Sequence, residues 1–462
     1  MGGARRPAAL YDLLMNNPDS APEGLAEPLL AAARRAGADA ADVIVVHGIS
    51  QSVSVRLGAI ETVERAEGRD LGLRVFVGKR QAIVSSTDFN RAGLDALAEH
   101  AVAMARAVPE DPYCGLADPA RHAKHLAELD LADDGEPSTE ALVALATETE
   151  DTARAVKGVS NSEGADCGFR RSGITLATSD GFFGSYATTR YSLSVSVLAG
   201  DGLDMQRDYD YAVATHRADL KTPSELGRNA GERTVRRLKP RKAESGRVPV
   251  VYEQRLAGGL LGHLASAISG AAIARGTSFL KDKLGQTVFA DGLHVIDDPS
   301  RKRGLRSRPF DGEGVATTRR ALIERGMLTS WLLDSRSARQ LGLETTGHAS
   351  RGTSGPPSPS ASNLYLEPGT IEPSALIKEI GRGLYVTELI GMGVNGVTGD
   401  YSRGAAGFWI EDGVLTYPVN EVTVAGNLKE MFRGIRPASD LIFRSGIDAP
   451  TLAIDGMTVA GR

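Results

Sequence analysis

The chain has 462 residues, 42% of them apolar and 24% charged, with 53 glycines, few aromatics and a net charge of −5. That length exceeds one ordinary hydrophobic core, so two or three domains are expected, and the mild negative balance argues against nucleic acid or an anionic membrane surface as partner. Cys114 and Cys167 are too few for a disulfide framework and lack CxxC spacing, which fits a reduced, cytoplasmic setting.

Residues 1–24 form a polar lead, with no apolar run long enough for a signal peptide and no Ser or Thr at the sixth position for myristoylation. A helix and meander domain is predicted over 25–108. Residues 27–36 read as an alanine-rich helix ended by Gly37. Runs at 42–47, 51–57, 59–65, 71–77 and 81–86 mix β-branched residues with polar alternation, separated by Gly58, Gly68 and Gly78, which predicts an antiparallel meander with one wet face. Residues 90–107 return to helical spacing, with Leu94, Leu97, Val102 and Ala105 on one side. The polar stretch 109–138 reads as a connector. Its His122 and His125 lie at i, i+3 without a paired acid or cysteine in any recognised motif, so no zinc site is assigned there.

A second helix and meander domain is predicted over 139–240, with helices at 139–156 and 223–238 and strands near 159–171, 174–178, 182–198 and 204–215. Helix, antiparallel meander and helix thus occur twice, as expected of a duplicated unit. The charged run 239–247 marks the boundary to a β-rich domain over 248–462. That domain opens with a strand and a small-residue helix at 256–274, where Gly258, Gly262, Ser266 and Gly270 form one row. The row suits tight core packing, with a subunit interface as the alternative, and its lone His263 is expected as a hydrogen-bonded core residue. The basic run 301–308 reads as a solvated turn, and the Gly, Ser and Pro content of 344–369 reads as a disordered or functional loop. The order of elements predicts an α+β fold rather than a doubly wound parallel sheet.

Residues 391–410, GMGVNGVTGDYSRGAAGFWI, hold six glycines between two strand-like runs. Glycine lets a backbone approach another group closely, so this loop is the candidate ligand surface. Its candidate substrate-binding residues are Gly393, Asn395, Thr398, Asp400, Tyr401, Ser402 and Arg403, against the alternative that Asp400 and Arg403 merely pair within the loop. Gly391, Gly393 and Gly396 spell GxGxxG, but residues 397–407, VTGDYSRGAAG, hold too many glycines and turn formers to be the helix a dinucleotide fingerprint requires.

The string GVNGVTGDYSRGAAGFWIEDGVLTYPVNEVTVAGNLKEMF, with VTELIGMG, SNLYLEPG, ARGTSFLKDKLGQ and TTGHASRG, resembles the TldE (PmbA) branch of the TldD/PmbA metallopeptidase family. The resemblance covers nearly the whole chain and is densest from about residue 248 onward. It implies a cytoplasmic heterodimeric protease in which a TldD subunit carries zinc and a TldE subunit does not. In TldD-like chains the helix after the opening strand bears HExxxH, and the glycine-rich stretch contributes a cysteine. Registered on the shared RGTS, those positions fall here on Leu261, Gly262 and Ser266, and 391–404 contains no cysteine. The resemblance therefore implies no catalytic residue and no metal in this chain, with zinc only in a TldD-like partner. The implied role is to help enclose the active chamber and bind unfolded or extended peptide for proteolysis. The alternatives are a homodimeric peptide-binding protein without proteolytic role, or a self-sufficient serine or acid hydrolase using Ser402 and Asp400 with a base from His263, His294 or His348.

Overall fold

The computed structural model describes residues 22–461, so most of the polar lead, and with it the signal and myristoylation readings, lies outside the described residues. Helix α1 (Pro22–Ala36) turns Leu25, Ala26, Leu29, Ala32 and Ala33 inward along one stripe. Strands β1 (Ala40–Arg56), β2 (Ala59–Val77) and β3 (Arg80–Ser86) follow, then α2 (Arg91–Ala107). After the connector come α3 (Thr139–Arg154), N-capped by the Ser138 hydroxyl, then β4 (Val159–Thr178), β5 (Phe183–Ala199), β6 (Gln206–Ala214) and α4 (Pro223–Arg236). All six strands form one sheet in the order β3-β2-β1-β4-β5-β6. This order displays the repeat: each half is a helix, three strands and a helix, and the first strands of the two halves pair along the middle. Helices α1 and α2 cover one end of the sheet over Val43, Leu71, Leu73 and Val75, while α3 and α4 cover the other over Phe169, Leu193 and Val197.

Four of the five short strands predicted for the first meander merge into two long ones, β1 and β2, and the fifth is β3. Gly58 and Gly78 do sit in turns, at φ of 77° and 57°, but Gly68 lies inside β2 opposite Gly48 of β1. A strand accepts glycine where another backbone comes close, and a Cβ on Gly48 would fall on the carbonyl oxygen of Arg171. The connector is not idle either. His122 bridges to Val315 and packs its ring 5.1 Å from that of Phe182.

The C-terminal region is β-rich. It opens with β7 (Gly246–Tyr252), α5 (Gln254–Ala267) and the short α6 (Gly270–Ala274). A small sheet of β8 (Val295–Asp297), β9 (Arg320–Glu324), β10 (Met327–Leu328), β13 (Leu364–Leu366) and β18 (Ile447–Asp448) runs in the order β10-β9-β8-β13-β18; α7 (Ser335–Leu341) and a hairpin of β11 (Ala349–Ser350) and β12 (Ser358–Pro359) are inserted in it. After α8 (Pro373–Lys378) come β14 (Arg382–Val394), β15 (Asp400–Glu411), β16 (Val414–Asn427), α9 (Leu428–Arg433), β17 (Ile435–Pro437) and β19 (Leu452–Ala460). With β7 these strands form a sheet in the order β16-β15-β14-β7-β19-β17, and β16 also pairs with β19, closing the strands into a ring. Leu260, Leu261 and Leu264 of α5 are buried in the same core as Val250, Leu384, Trp409, Val424 and Met457. The fold is thus α+β, with a buried small-residue helix.

The predicted row of small residues divides. A Cβ on Gly258 would strike the Ile447 carbonyl and one on Gly270 would strike Leu333 and Ser337, whereas Gly262 faces open space. The predicted single helix is also broken after Ala267.

Segment 344–369, expected as a disordered or functional loop, is a clasp. Arg351 pairs with Asp42 of β1, the Thr353 hydroxyl donates to Asp70, and Gly72 admits the Thr353 backbone against β2. The basic run does form turns with Lys302 and Arg303 exposed, but it is tied down: Arg301 lies over the Phe443 ring and Arg303 binds Asp130 at 2.6 Å and Asp219 at 3.0 Å. Buried ion pairs join the sheets, with Asp42, Arg74, Arg351 and Glu313 at one place and Asp208, Arg255 and Glu253 at another. Paired and hydrogen-bonded, such charges fix relative position more than they add stability.

Candidate functional site

The glycine-rich stretch is not a loop. Gly391 and Gly393 belong to β14 and residues from Asp400 onward to β15, so the stretch is a hairpin whose turn is 395–399. Gly393 is required because a Cβ there would fall on the carbonyl oxygen of Ser402 across the pair. No helix begins at this turn, so the GxGxxG spelling does not form a dinucleotide site.

Polar residues of the turn bind one another. The Asn395 side chain accepts from the Val397 and Thr398 amides at 2.9 and 3.3 Å. The Thr398 hydroxyl donates to Asp400 Oδ2 at 2.6 Å, and Asn427 Nδ2 donates to Asp400 Oδ1 at 3.0 Å. These bonds, the Thr398 one first, hold the Asp400 carboxyl below its ordinary range. Asp400 does not pair with Arg403, whose Nε instead makes a long 3.4 Å bond to the Ile390 carbonyl.

Strand alternation then sorts the rest. Tyr401 and Arg403 face α5, while Ser402 is exposed on the other side. Tyr401 is buried; its ring lies 6.0 Å from that of His263, and its hydroxyl has no formed hydrogen bond, with the Tyr252 phenol as polar neighbour. Both oxygens of Asp400 are engaged, His263 lies across the strand from Ser402, and His348 is buried between Asp297 and Thr346. His263 and His348 are therefore not placed to serve Ser402 as a base.

Between α5 and the hairpin lies a cavity of about 250 Å³, lined by His263, Ser266, Thr277, Phe279, Met392 and Arg403, among others. The RGTS string builds its floor: Ser278 donates to the Ala267 carbonyl at the helix end, and the Phe279 amide donates to the Gly396 carbonyl at 3.0 Å, which pins the hairpin turn beside the helix. His263 is half-buried in this wall rather than a core residue. Burial first, and Arg403 second, push its imidazole below the ordinary histidine range, so it is neutral near pH 7.

Of the residues singled out from sequence, Arg403 lines the cavity, Tyr401 supports it from beneath, Gly393 permits the strand pairing, Asn395, Thr398 and Asp400 tie the turn, and Ser402 faces away. Sequence reasoning missed Phe279, Met392, Ser266 and Thr277 as cavity walls. The signal was present in the RGTS string and in period-two alternation within the two arms, at 392–394 and 401–403, which the glycines concealed.

The cavity does not suit zinc. Its lining offers one imidazole, two hydroxyls and a guanidinium, without carboxylate or thiolate, whereas zinc takes three or four convergent N, S or O ligands. Leu261, one of the positions registered to a metal ligand, points into the core.

Comparison with known proteins gives three consecutive matches: the PmbA/TldA metallopeptidase domain 1 over residues 41–105, the central domain over 132–238, and the C-terminal domain over 245–461. The chain is 39% identical to the metalloprotease PmbA of Escherichia coli over 426 residues, covering 92% of this chain and 93% of that one. A crystal structure of a candidate modulator of DNA gyrase from Bacteroides thetaiotaomicron matches with a TM-score of 0.88 and 28% identity, over 96% of this chain and 99% of the other. TldE from Thermococcus kodakarensis shares the fold, with a TM-score of 0.85 at 20% identity, over 94% of this chain and 99% of its own.

Proposed function

This chain belongs to the PmbA/TldD metallopeptidase family, and from that premise we propose that it is a TldE-like subunit which holds extended peptide beside the zinc centre of a TldD-like partner. The observation that carries the reading is the site's form. Strand β14 pairs with β7 only from Leu384 to Val386, so among the described residues no strand lies on the β7 side of 388–394. An extended peptide binds such an edge by adding a strand, with backbone hydrogen bonds giving affinity and neighbouring pockets giving preference. Apolar side chains crowd this edge and turn, with Met392 at 87%, Ile390 at 59% and Val397 at 57% exposure. Exposure of that kind, beside a cavity, marks a surface that another chain covers.

The partner supplies what the cavity lacks. Zinc bound to a TldD-like subunit would activate water for amide hydrolysis, and this chain's residues would bind and orient the peptide. Among the described residues no helix is long and apolar enough to cross a membrane, and the free, buried cysteines of this chain support a reducing, cytoplasmic setting for the proposed complex.

Co-expression with a TldD-like chain tests the proposal. The two are expected to co-purify and to cleave an unfolded polypeptide in a chelator-sensitive reaction that neither performs alone. A partner that cleaves equally well without this chain refutes the subunit role. A stable homodimer that binds peptide and ignores the partner selects the stand-alone alternative.

A further inference from the structure

Among the described residues, Arg403 is a cation without a counter-ion. The buried arginines Arg74, Arg255 and Arg351 each carry an aspartate partner. Arg403, partly buried in the cavity wall, forms no ion pair among the described residues and makes only its long bond to a carbonyl. No acid lines the cavity, and its walls include Phe279, Met392, Val394 and Leu428. A guanidinium is held at such an apolar surface at a cost that an incoming anion would offset, and its planar fork matches a carboxylate in two parallel bonds.

We propose that this cavity captures the free C-terminal carboxylate of the extended peptide, with Arg403 as its counter-ion and the apolar walls receiving the last side chain. The inference rests on the peptide-binding reading and gives it an end specificity. Volume agrees: about 250 Å³ accommodates one residue and is smaller than the ~300–1,000 Å³ of sites for larger ligands. Hydrogen bonding agrees as well. The Ser266 and Thr277 hydroxyls donate to the Gly262 and Ala272 carbonyls, so both keep lone pairs to accept the terminal amide N–H, while His263 has a ring N–H to give the carboxylate. The open edge of β14 runs from Glu388 to Val394, and Met392 and Val394 of that segment line the cavity together with Arg403 of β15, so a chain added along the edge passes beside the cavity.

Fluorescence anisotropy with the full chain, alone and co-purified with a TldD-like partner, tests this using a labelled unstructured decapeptide as free acid and as C-terminal amide. The free acid is expected to bind about tenfold more tightly than the amide, and Arg403→Gln to abolish that difference. Arg403→Lys, which keeps the charge, is expected to retain part of the preference, separating loss of the ion pair from loss of fold. Equal binding of acid and amide overturns the carboxylate site but leaves peptide binding in place. Failure of both peptides to bind overturns both.

Discussion

At the scale of single residues, the hairpin separates side chains that build the site from side chains that could meet a ligand. Asp400 builds. Its carboxylate, held below its ordinary pKa by Thr398 and Asn427, closes the turn at neutral pH, and this contribution is lost as pH falls through the lowered value. Asp400→Ala is expected to leave the fold intact but to speed amide hydrogen exchange across 395–400, read by mass spectrometry. Gly393→Ala is expected to do more, because its methyl group has only the Ser402 carbonyl to displace; a loss of about 1–3 kcal/mol in a urea titration would fit this overpacking. The residue types around the site were legible in the sequence, and Arg403 among them. Their facing was not, because six glycines obscured the strand alternation that puts Tyr401 and Arg403 on one side and Ser402 on the other.

Elements show the same division within a single helix. In α5, Gly258 lies under the Ile447 carbonyl and Gly262 borders open space, although both belong to one small-residue row. Gly262→Ala should therefore stabilise the protein by up to about 1 kcal/mol through helix propensity, while Gly258→Ala destabilises it by about 1–3 kcal/mol, both measured by chemical denaturation. Equal effects would mean that Gly262 is packed after all. Helix spacing predicted the row, but what each glycine meets depends on β18, which lies far along the chain. Strand boundaries failed for a related reason. Gly68 reads as a break in isolation, and only its pairing opposite Gly48 keeps it within β2.

For the whole molecule, the decisive contacts are the buried charges between the N-terminal sheet and the C-terminal region. Burial, outweighing the attraction of Arg74 at 4.0 Å and reinforced by Asp311, raises the Glu313 carboxyl to about 7. A folded-state pKa above the unfolded one means the fold gains protons, so stability should be fully present below pH ~4.5 and fall as pH rises towards 7. Asp42 acts oppositely: its pKa is lowered by Arg351 and Arg74 against its burial, and its contribution is lost only below the ordinary carboxyl range. Thermal melts should therefore show greater stability near pH 5 than near pH 8, and Glu313→Gln should flatten that difference. The duplicated α+β plan and the β-rich C-terminal region could be read from periodicity. The clasp at 344–369 could not, since its Gly, Ser and Pro content matches a disordered linker, and its order comes from Asp42 and Asp70, about three hundred positions earlier. Reception of extended peptide by the open edge of β14 and the adjoining cavity is tested most directly by hydrogen exchange of this chain, with and without an unfolded peptide and in the presence of a TldD-like partner. Peptide-dependent protection is expected to be confined to 388–403 and the α5 wall around His263. Protection elsewhere, with these segments unchanged, would contradict it.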